Sequence, residues 1–438
     1  MSIIFNPVII SVVLLCILCL CRVNVLLAII ISAIVAGLTG GMPITNVMDI
    51  FISGMGENAE TALSYILLGT FAAAMTHTGL ATILAKKISS VINGKRFMLL
   101  GIITGIAMLS QNLIPVHIAF IPILIPPLLH LMNKLQLDRR SVACSLSFGL
   151  KAPYITIPAG FGLIFQGLIA ENITLNGMEV LKNDVWKSTW ILGVGMFIGL
   201  LIAVLISYRK PREYQDKEII KNKLEENDEE ESKLNKNHYI TLIGAVATLA
   251  VQLLTKSLPL GALVGLGIVF GGGAISHKKM DKLINEGIGL MGYVAFVMLV
   301  AAGFAFVLKQ TGGVEALLNA VIPLMQNSRL IAVGLMLIIG LFVTMGIGTS
   351  FGTIPILAVL FVPICVHLGF SASATVVIIA AAAALGDAGS PASDTTLGPT
   401  AGLNADGQHN HIVDTCIPTF LHFNIPLIIF AIIAAYLL

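Results

Sequence analysis

The sequence predicts an all-α polytopic membrane protein made of two inverted repeats, each with five transmembrane crossings and one re-entrant hairpin. Three observations predict it: apolar runs of bilayer length, a repeat at one constant offset, and Pro, Gly and polar interruptions at matching places in both halves. The composition sets the frame. Of 438 residues, 57% are hydrophobic and 11% charged, with a mean hydropathy of +0.95, whereas a soluble domain is about a quarter charged. Eight of the 25 Lys/Arg and nine of the 23 Asp/Glu fall within residues 208–238 alone. A soluble globular fold and a disulfide-built secreted domain are excluded. A net charge of +2 also offers no basic stripe for a nucleic acid. The six cysteines lie in or beside apolar runs, where a free thiol behaves as a small hydrophobe. The amino-terminal segment has no basic residue before Arg22, so a cleaved signal peptide is not expected.

A crossing helix needs roughly 20 apolar residues. Such runs fall near 3–21, 23–41, 59–78, 188–207, 239–256, 258–276, 289–309 and 412–438. Segments 97–132 and 329–368 each read as a helix, a polar break and a Pro-containing apolar run, the pattern of a re-entrant hairpin. Segments 141–170 and 371–400 read as helices interrupted midway. Leu80–Asn93, with Lys86 and Lys87, reads as an amphipathic piece along the interface.

Sliding the chain until Thr78-Gly79 falls on Thr311-Gly312 also lays Ile121-Pro122-Ile123-Leu124 on Ile354-Pro355-Ile356-Leu357, without a gap. The same shift pairs Pro158 with Pro391, and Lys151 with Ala384. The chain therefore divides into a first repeat (1–207), a charged linker (208–238) and a second repeat (239–438). Five crossings per copy is an odd number, which inverts the second copy. With both termini outside the cell, most Lys/Arg of the short loops, and the linker, fall on the cytoplasmic side, as the positive-inside rule requires. The expected location is the plasma membrane.

Interrupted helices at matching positions of inverted repeats point to secondary transport. A break frees backbone N–H and C=O groups that lipid cannot satisfy, so it survives only inside protein or along an aqueous cavity. Four breaks qualify. The first hairpin tip carries Gln111, Asn112 and His117, and the second carries Gly348-Thr349-Ser350. The first broken helix contains Lys151-Ala-Pro-Tyr-Ile-Thr156. The second contains Gly386-Asp387-Ala-Gly-Ser390-Pro-Ala-Ser393-Asp394-Thr395-Thr396. Hard oxygen donors of this kind suit Na⁺ or a proton, and an acid at membrane depth is a functional candidate by default. The amide, histidine and lysine of the first half (Gln111, Asn112, His117, Lys151, with Thr156) are the expected substrate contacts.

Gly-Thr-Ser-Phe-Gly-Thr at 348–353 and Gly-Asp-Ala-Gly-Ser-Pro-Ala-Ser-Asp-Thr-Thr at 386–396 closely resemble the NhaC-type Na⁺/H⁺ antiporter family of the ion-transporter superfamily. The resemblance implies transport coupled to Na⁺ or H⁺. It also implies a cation site of Asp387, Ser390, Ser393, Asp394 and Thr395, with Thr349 and Ser350 at the facing hairpin tip. Members of the compact subgroup resembled here also look like amino-acid transporters. The expected cargo is therefore an amino acid or similar small organic ion, with exchange of cations alone as the alternative. No organic cofactor and no metal beyond Na⁺ is expected; the partners are the solute, the bilayer and, as in carriers resembling this one, a second copy in a homodimer.

Each site has a plainer reading. Asp387 and Asp394 also fit helix caps, Lys151 fits a snorkelling side chain, and Gln111 and Asn112 fit hairpin caps. Glu57 and Glu60 fit a helix N-terminal turn. Asp406, His409, His411 and Asp414 form a polar cytoplasmic stretch without diagnostic metal spacing. A nucleophile–base pair is missing from the sequence, so an enzyme is not expected.

Overall fold

The computed structural model describes residues 5–80, 83, 95–112, 121–215, 235–255, 257–325 and 328–438. The described residues form helices and short turns, without a strand. In the first half run α1 (Pro7–Leu20), α2 (Val25–Thr39), α3 (Ile44–Met55), α4 (Ala59–His77), α5 (Arg96–Asn112), α6 (Ile121–Lys134), α7 (Arg139–Thr156), α8 (Phe161–Leu175) and α9 (Lys182–Ser207). In the second half run α10 (Lys236–Thr255), α11 (Leu258–Gly271), α12 (Met280–Gln310), α13 (Gly313–Met325), α14 (Arg329–Ile347), α15 (Ser350–His367), α16 (Ala372–Ala384), α17 (Asp394–Leu403) and α18 (His411–Leu437).

The repeat offset recurs in the helix starts. Val25 and Leu258, Arg96 and Arg329, Arg139 and Ala372, and Phe161 and Asp394 each begin a helix at that same spacing. Polar side chains set several of these starts by taking up a free first-turn N–H. Asn24, Asp138, Ser328, Ser371 and Ser393 all do so. The two copies differ clearly at their third and fourth helices. The second continues unbroken through α12 for 31 residues, whereas Gly56–Asn58 forms a tight turn between α3 and α4 in the first. That turn carries Asn58 to α12, where its amide donates to Met298 O at 3.0 Å.

The second hairpin, α14–α15, turns at Gly348, whose φ of +76° suits only glycine without strain. Arg329 at the start of α14 donates to Leu368 O and Gly369 O, both at 2.9 Å, so the two ends of the hairpin close on one another. In the first hairpin, α5 and α6 are in place, but the tip at 113–120, with His117, lies outside the described residues, as do most of 80–93 and linker residues 216–234.

Packing does not follow the two halves of the sequence. α1–α4 pack with α10–α12, chiefly through α12 against α2, α3 and α4. α5–α9 pack with α14–α18, through α7 on α5 and α9, α16 on α14 and α18, and α17 on α6 and α7. Each group thus draws helices from both halves, and α12 lies at the seam between them, touching α14 and α17.

At one end of the second group, Arg139 is wholly buried and ties three loops together. Its guanidinium holds both oxygens of Asp406, at 2.7 and 2.6 Å, with Leu403 O and the Asn133 side chain at 2.9 and 2.8 Å. Tyr214, from the start of the linker, stacks beneath it at 4.2 Å. Burial works against the charge on Asp406, but the Arg139 hydrogen bonds and charge outweigh it and hold this carboxyl below the usual range. A carboxyl depressed in the folded state stabilises above its unfolded pKa of about 4, and that stability drains away as pH falls through the lower folded value. Arg139→Met should cost about 3–5 kcal/mol, since it leaves a buried carboxylate unpaired. In detergent melts the wild-type midpoint should fall as pH drops below about 4, and the variant midpoint should fall less.

Candidate functional site

The site forms where α7 and α16 both stop inside the protein. α7 carries Pro153 in its last turn and yields to extended backbone at Ile157, and the chain then bends by 48° into α8. α16 ends at Ala384, and residues 385–393 run without helix until Ser393 caps α17. Two glycines make that run possible. Gly386 (φ +82°) passes so close to α14 that a Cβ would collide with Leu341 O, and Gly389 has φ +97°. Asn424 of α18 braces the run, donating to Ala388 O at 2.8 Å and accepting from Gly386 N at 3.4 Å.

Asp387 stands at the centre, 2% exposed. Its Oδ2 accepts from Ser350 Oγ at 2.9 Å and from Tyr154 OH at 3.2 Å, and lies 3.2 Å from Lys151 Nζ. Its Oδ1 accepts from Ser393 Oγ. Lys151 is completely buried, and its ammonium also donates to Ala384 O, a carbonyl freed by the end of α16. A carboxylate with several donors and a lysine with a carboxylate and a carbonyl satisfy each other, the condition on which buried charges survive. Thr395 Oγ1 lies 2.9 Å from Ser393 Oγ and donates to Asp387 O at 3.2 Å. Both cross-repeat contacts, Lys151 with Ala384 and Tyr154 with Asp387, join residues separated by the repeat offset, so equivalent positions of the two copies touch.

A cavity of about 280 Å³ opens onto this cluster. Asn58, Thr61 and Met298 from the first helix group face Ser350, Asp387 and Asp394 from the second across it. The N-termini of α15 and α17 both reach it, through Thr349 and Ser350 and through Asp394 and Thr395. A second cavity, of about 720 Å³, lies farther along the same seam; Gly289 and Tyr293 of α12 line it opposite Thr400 and the loop 404–411. Tyr293 and Met298, one in each cavity, are separated by about 8 Å of helix at 1.5 Å per residue.

The sequence-derived candidates divide accordingly. Asp387, Ser393, Thr395 and Ser350 share one hydrogen-bonded cluster, with Lys151 on Asp387. Thr349 and Asp394 line the cavity. Ser390 turns instead to Met345 O, at 3.2 Å. Thr156 bonds back to Ala152 O and presents its methyl to Gly193 of α9, away from Asp387. Gln111 and Asn112 form the last turn of α5. The sequence reading assigned no role to Tyr154 or Asn424. The repeat offset, which sets Tyr154 on Asp387, carried a signal for the first; nothing marked the second.

Residues 145–433 match the Na⁺/H⁺ antiporter family, and residues 6–92 match a second model described as a Na⁺-H⁺ antiporter family. The chain is 48% identical to the membrane protein VP2115 of Vibrio parahaemolyticus, over 99% of this chain and all of that one. It is 46% identical, with the same coverage, to YuiF of Bacillus subtilis, whose name gives it as a candidate amino acid transporter. Among solved structures, the YdaH transporter of Alcanivorax borkumensis aligns over 90% of this chain and 88% of its own, at 12% identity and a TM-score of 0.40. The family and its relatives define a multi-pass membrane transporter, not an enzyme. The chain belongs to the Na⁺/H⁺ antiporter family.

If Lys151 and Asp387 balance each other, removing either leaves the other stranded. Lys151→Met and Asp387→Asn should each lower the detergent melting midpoint, and the double variant should lose less than the two losses combined. The coupling should fall in the range of about 0.5–3 kcal/mol found for contacting residues. Additive losses would show that the two do not depend on each other.

Proposed function

We propose that the protein is a secondary transporter that moves a small amino-bearing organic ion, most simply an amino acid, coupled to Na⁺ or H⁺ at Asp387. The observation that carries this is buried Asp387, paired with Lys151 behind it and lining a cavity between two helix groups. The Lys151 ammonium already occupies one face of the carboxylate, so an arriving Na⁺ or proton must compete with it for the same oxygen. Ser350, Ser393, Thr395 and Asp394 supply the remaining oxygen ligands. Gln111, Asn112 and His117 of the first hairpin remain the proposed substrate contacts.

Two features favour an amino acid. The N-termini of α15 and α17 offer free N–H groups and a positive dipole end to a carboxylate, and Asp394 offers a negative group to an ammonium. The alternative, exchange of cations alone, is favoured by the absence of Lys or Arg among the described residues lining this cavity. In either case the two helix groups, rather than the two sequence halves, are the bodies that would slide along α12. Coupling arises because ion and solute bind one arrangement better than the other. The paired contacts at the repeat offset support a two-fold relation of the repeats, and the odd number of crossings expected per copy favours its inverted form. With the termini outside, the cavity beside Asp387 would face outward and the 208–238 linker the cytoplasm.

Ligands that bind only the folded state raise its melting midpoint. One or more amino acids should raise it in the purified protein, more strongly with Na⁺ or at lower pH. A response to Na⁺, Li⁺ or pH alone, with none to any amino acid, would favour cation exchange. In proteoliposomes Asp394→Asn should abolish ion-coupled uptake while leaving the melt cooperative; unchanged Na⁺ dependence would remove Asp394 from the cation site.

A further inference from the structure

The cavity beside Asp387 has two kinds of wall. Asp387, Asp394, Ser350 and Thr395 supply its polar side. The other side is hydrocarbon, from Phe161, Ile164, Met298, Ala301, Ile347 and Phe351. Helix ends build it. Phe351 is the second residue of α15, just past the hairpin tip at Gly348, and Phe161 opens α8 just past the 48° bend. Their rings meet edge to face, 6.4 Å apart. Tyr154 and Phe165 brace the Phe351 ring at 5.2 and 5.5 Å. Such tilted and edge-on pairs hold one another in place, so the wall is a rigid one. Phe165 is wholly buried, whereas Phe161 and Phe351 are only partly so. Apolar area left open along a cavity is area that a guest gains by covering.

The polar and apolar sides abut. Thr349, Ser350 and Phe351 are consecutive and all line the cavity. Neighbouring Cα atoms are about 3.8 Å apart, so a single small guest spans both sides. The volume, about 280 Å³, is that of about nine water molecules at roughly 30 Å³ each, which one amino acid of middle size fills. Among the described residues no Lys or Arg lines the space, so a side-chain carboxylate would meet no cation there. Asp387 is already paired with Lys151. A further charge on the guest would lie against hydrocarbon, where an unpaired ion is costly. We infer that the transported solute is a neutral amino acid with an apolar side chain, of about leucine to phenylalanine size, and that Phe161 and Phe351 select it. The inference rests on the transport reading above and deepens it. The polar side takes the ammonium and carboxylate that all amino acids share, and the aromatic wall distinguishes among their side chains. Selection by such a wall is graded, because each methylene in an apolar pocket changes affinity by a limited factor.

A straight-chain series tests this in the full-length protein in lipid nanodiscs. L-alanine, L-α-aminobutyrate, L-norvaline and L-norleucine differ by one methylene at a time and share the same charged end. Their apparent affinities, read from the melting midpoint against concentration with Na⁺ present, should rise about fourfold per methylene. L-glutamate and L-lysine should bind at least tenfold more weakly than L-norleucine. The wild-type series needs no variant to fold. In Phe161→Ala and in Phe351→Ala the ratio of norleucine to alanine affinity should fall at least tenfold. A flat series, or tighter binding of glutamate or lysine than of norleucine, would overturn the apolar side chain and leave amino-acid transport standing. An unchanged ratio in both variants would overturn the selection by Phe161 and Phe351. A midpoint that answers to Na⁺ or pH but to no amino acid would overturn the transport reading, and this inference with it.

Discussion

An ammonium and a carboxylate taken from water into a protein interior each cost several kcal/mol, and the pair holds only if their remaining hydrogen bonds are met. Lys151 and Asp387 meet that condition only through the surrounding backbone. The Ala384 carbonyl is available because α16 stops there, and Ser350 reaches Asp387 because the hairpin turns at Gly348 just before it. Ser393 serves both as the cap of α17 and as a donor to Asp387. A continuous helix through 385–393 would remove the acceptor of the lysine and the Ser393 donor of the aspartate together. The pair and the break therefore require each other.

The same requirement explains features that look unrelated along the chain. Gly386 has to be glycine twice over, for its positive φ and for its approach to Leu341 O. Asn424 replaces the hydrogen bonds that a helix would have given residues 386 and 388. The site faces a seam rather than a solid core because α12 meets the second helix group there, leaving one cavity at Met298 and another at Tyr293. A seam with cavities at two levels suits alternating access better than a sealed core would. The proposed mechanism depends on that seam.

Much of this was legible in the sequence, for a physical reason. In a bilayer a helix break is so costly that its residues are visible as polar islands in apolar runs, and the island at 386–396 named Asp387, Ser393 and Thr395 directly. The repeat offset matches four pairs of helix starts to the residue. Other features depended on side-chain direction, which a polar island does not reveal. Thr156 lies in the right break but on the face toward α9, and Ser390 points back to Met345. Lys151 was legible as a charge at membrane depth, but only the structure singles out Asp387 as its partner. Asn424 sits in an apolar helix far from either motif, and its role exists only once α18 packs on the break. The grouping of helices across halves was also hidden, because periodicity shows that a face is buried but not against what.

In the proposed reading, a Na⁺ that takes the Asp387 oxygen leaves the buried Lys151 ammonium without its carboxylate, and the unpaired lysine gives up a proton. Proton release on adding Na⁺ to the purified protein, in weakly buffered detergent near neutral pH, measures this directly. The account predicts release from the wild type that saturates with Na⁺, is not reproduced by a bulky organic cation, and is absent in Asp387→Asn. Equal release from Asp387→Asn, or none from a wild type that Na⁺ nonetheless stabilises, would contradict it.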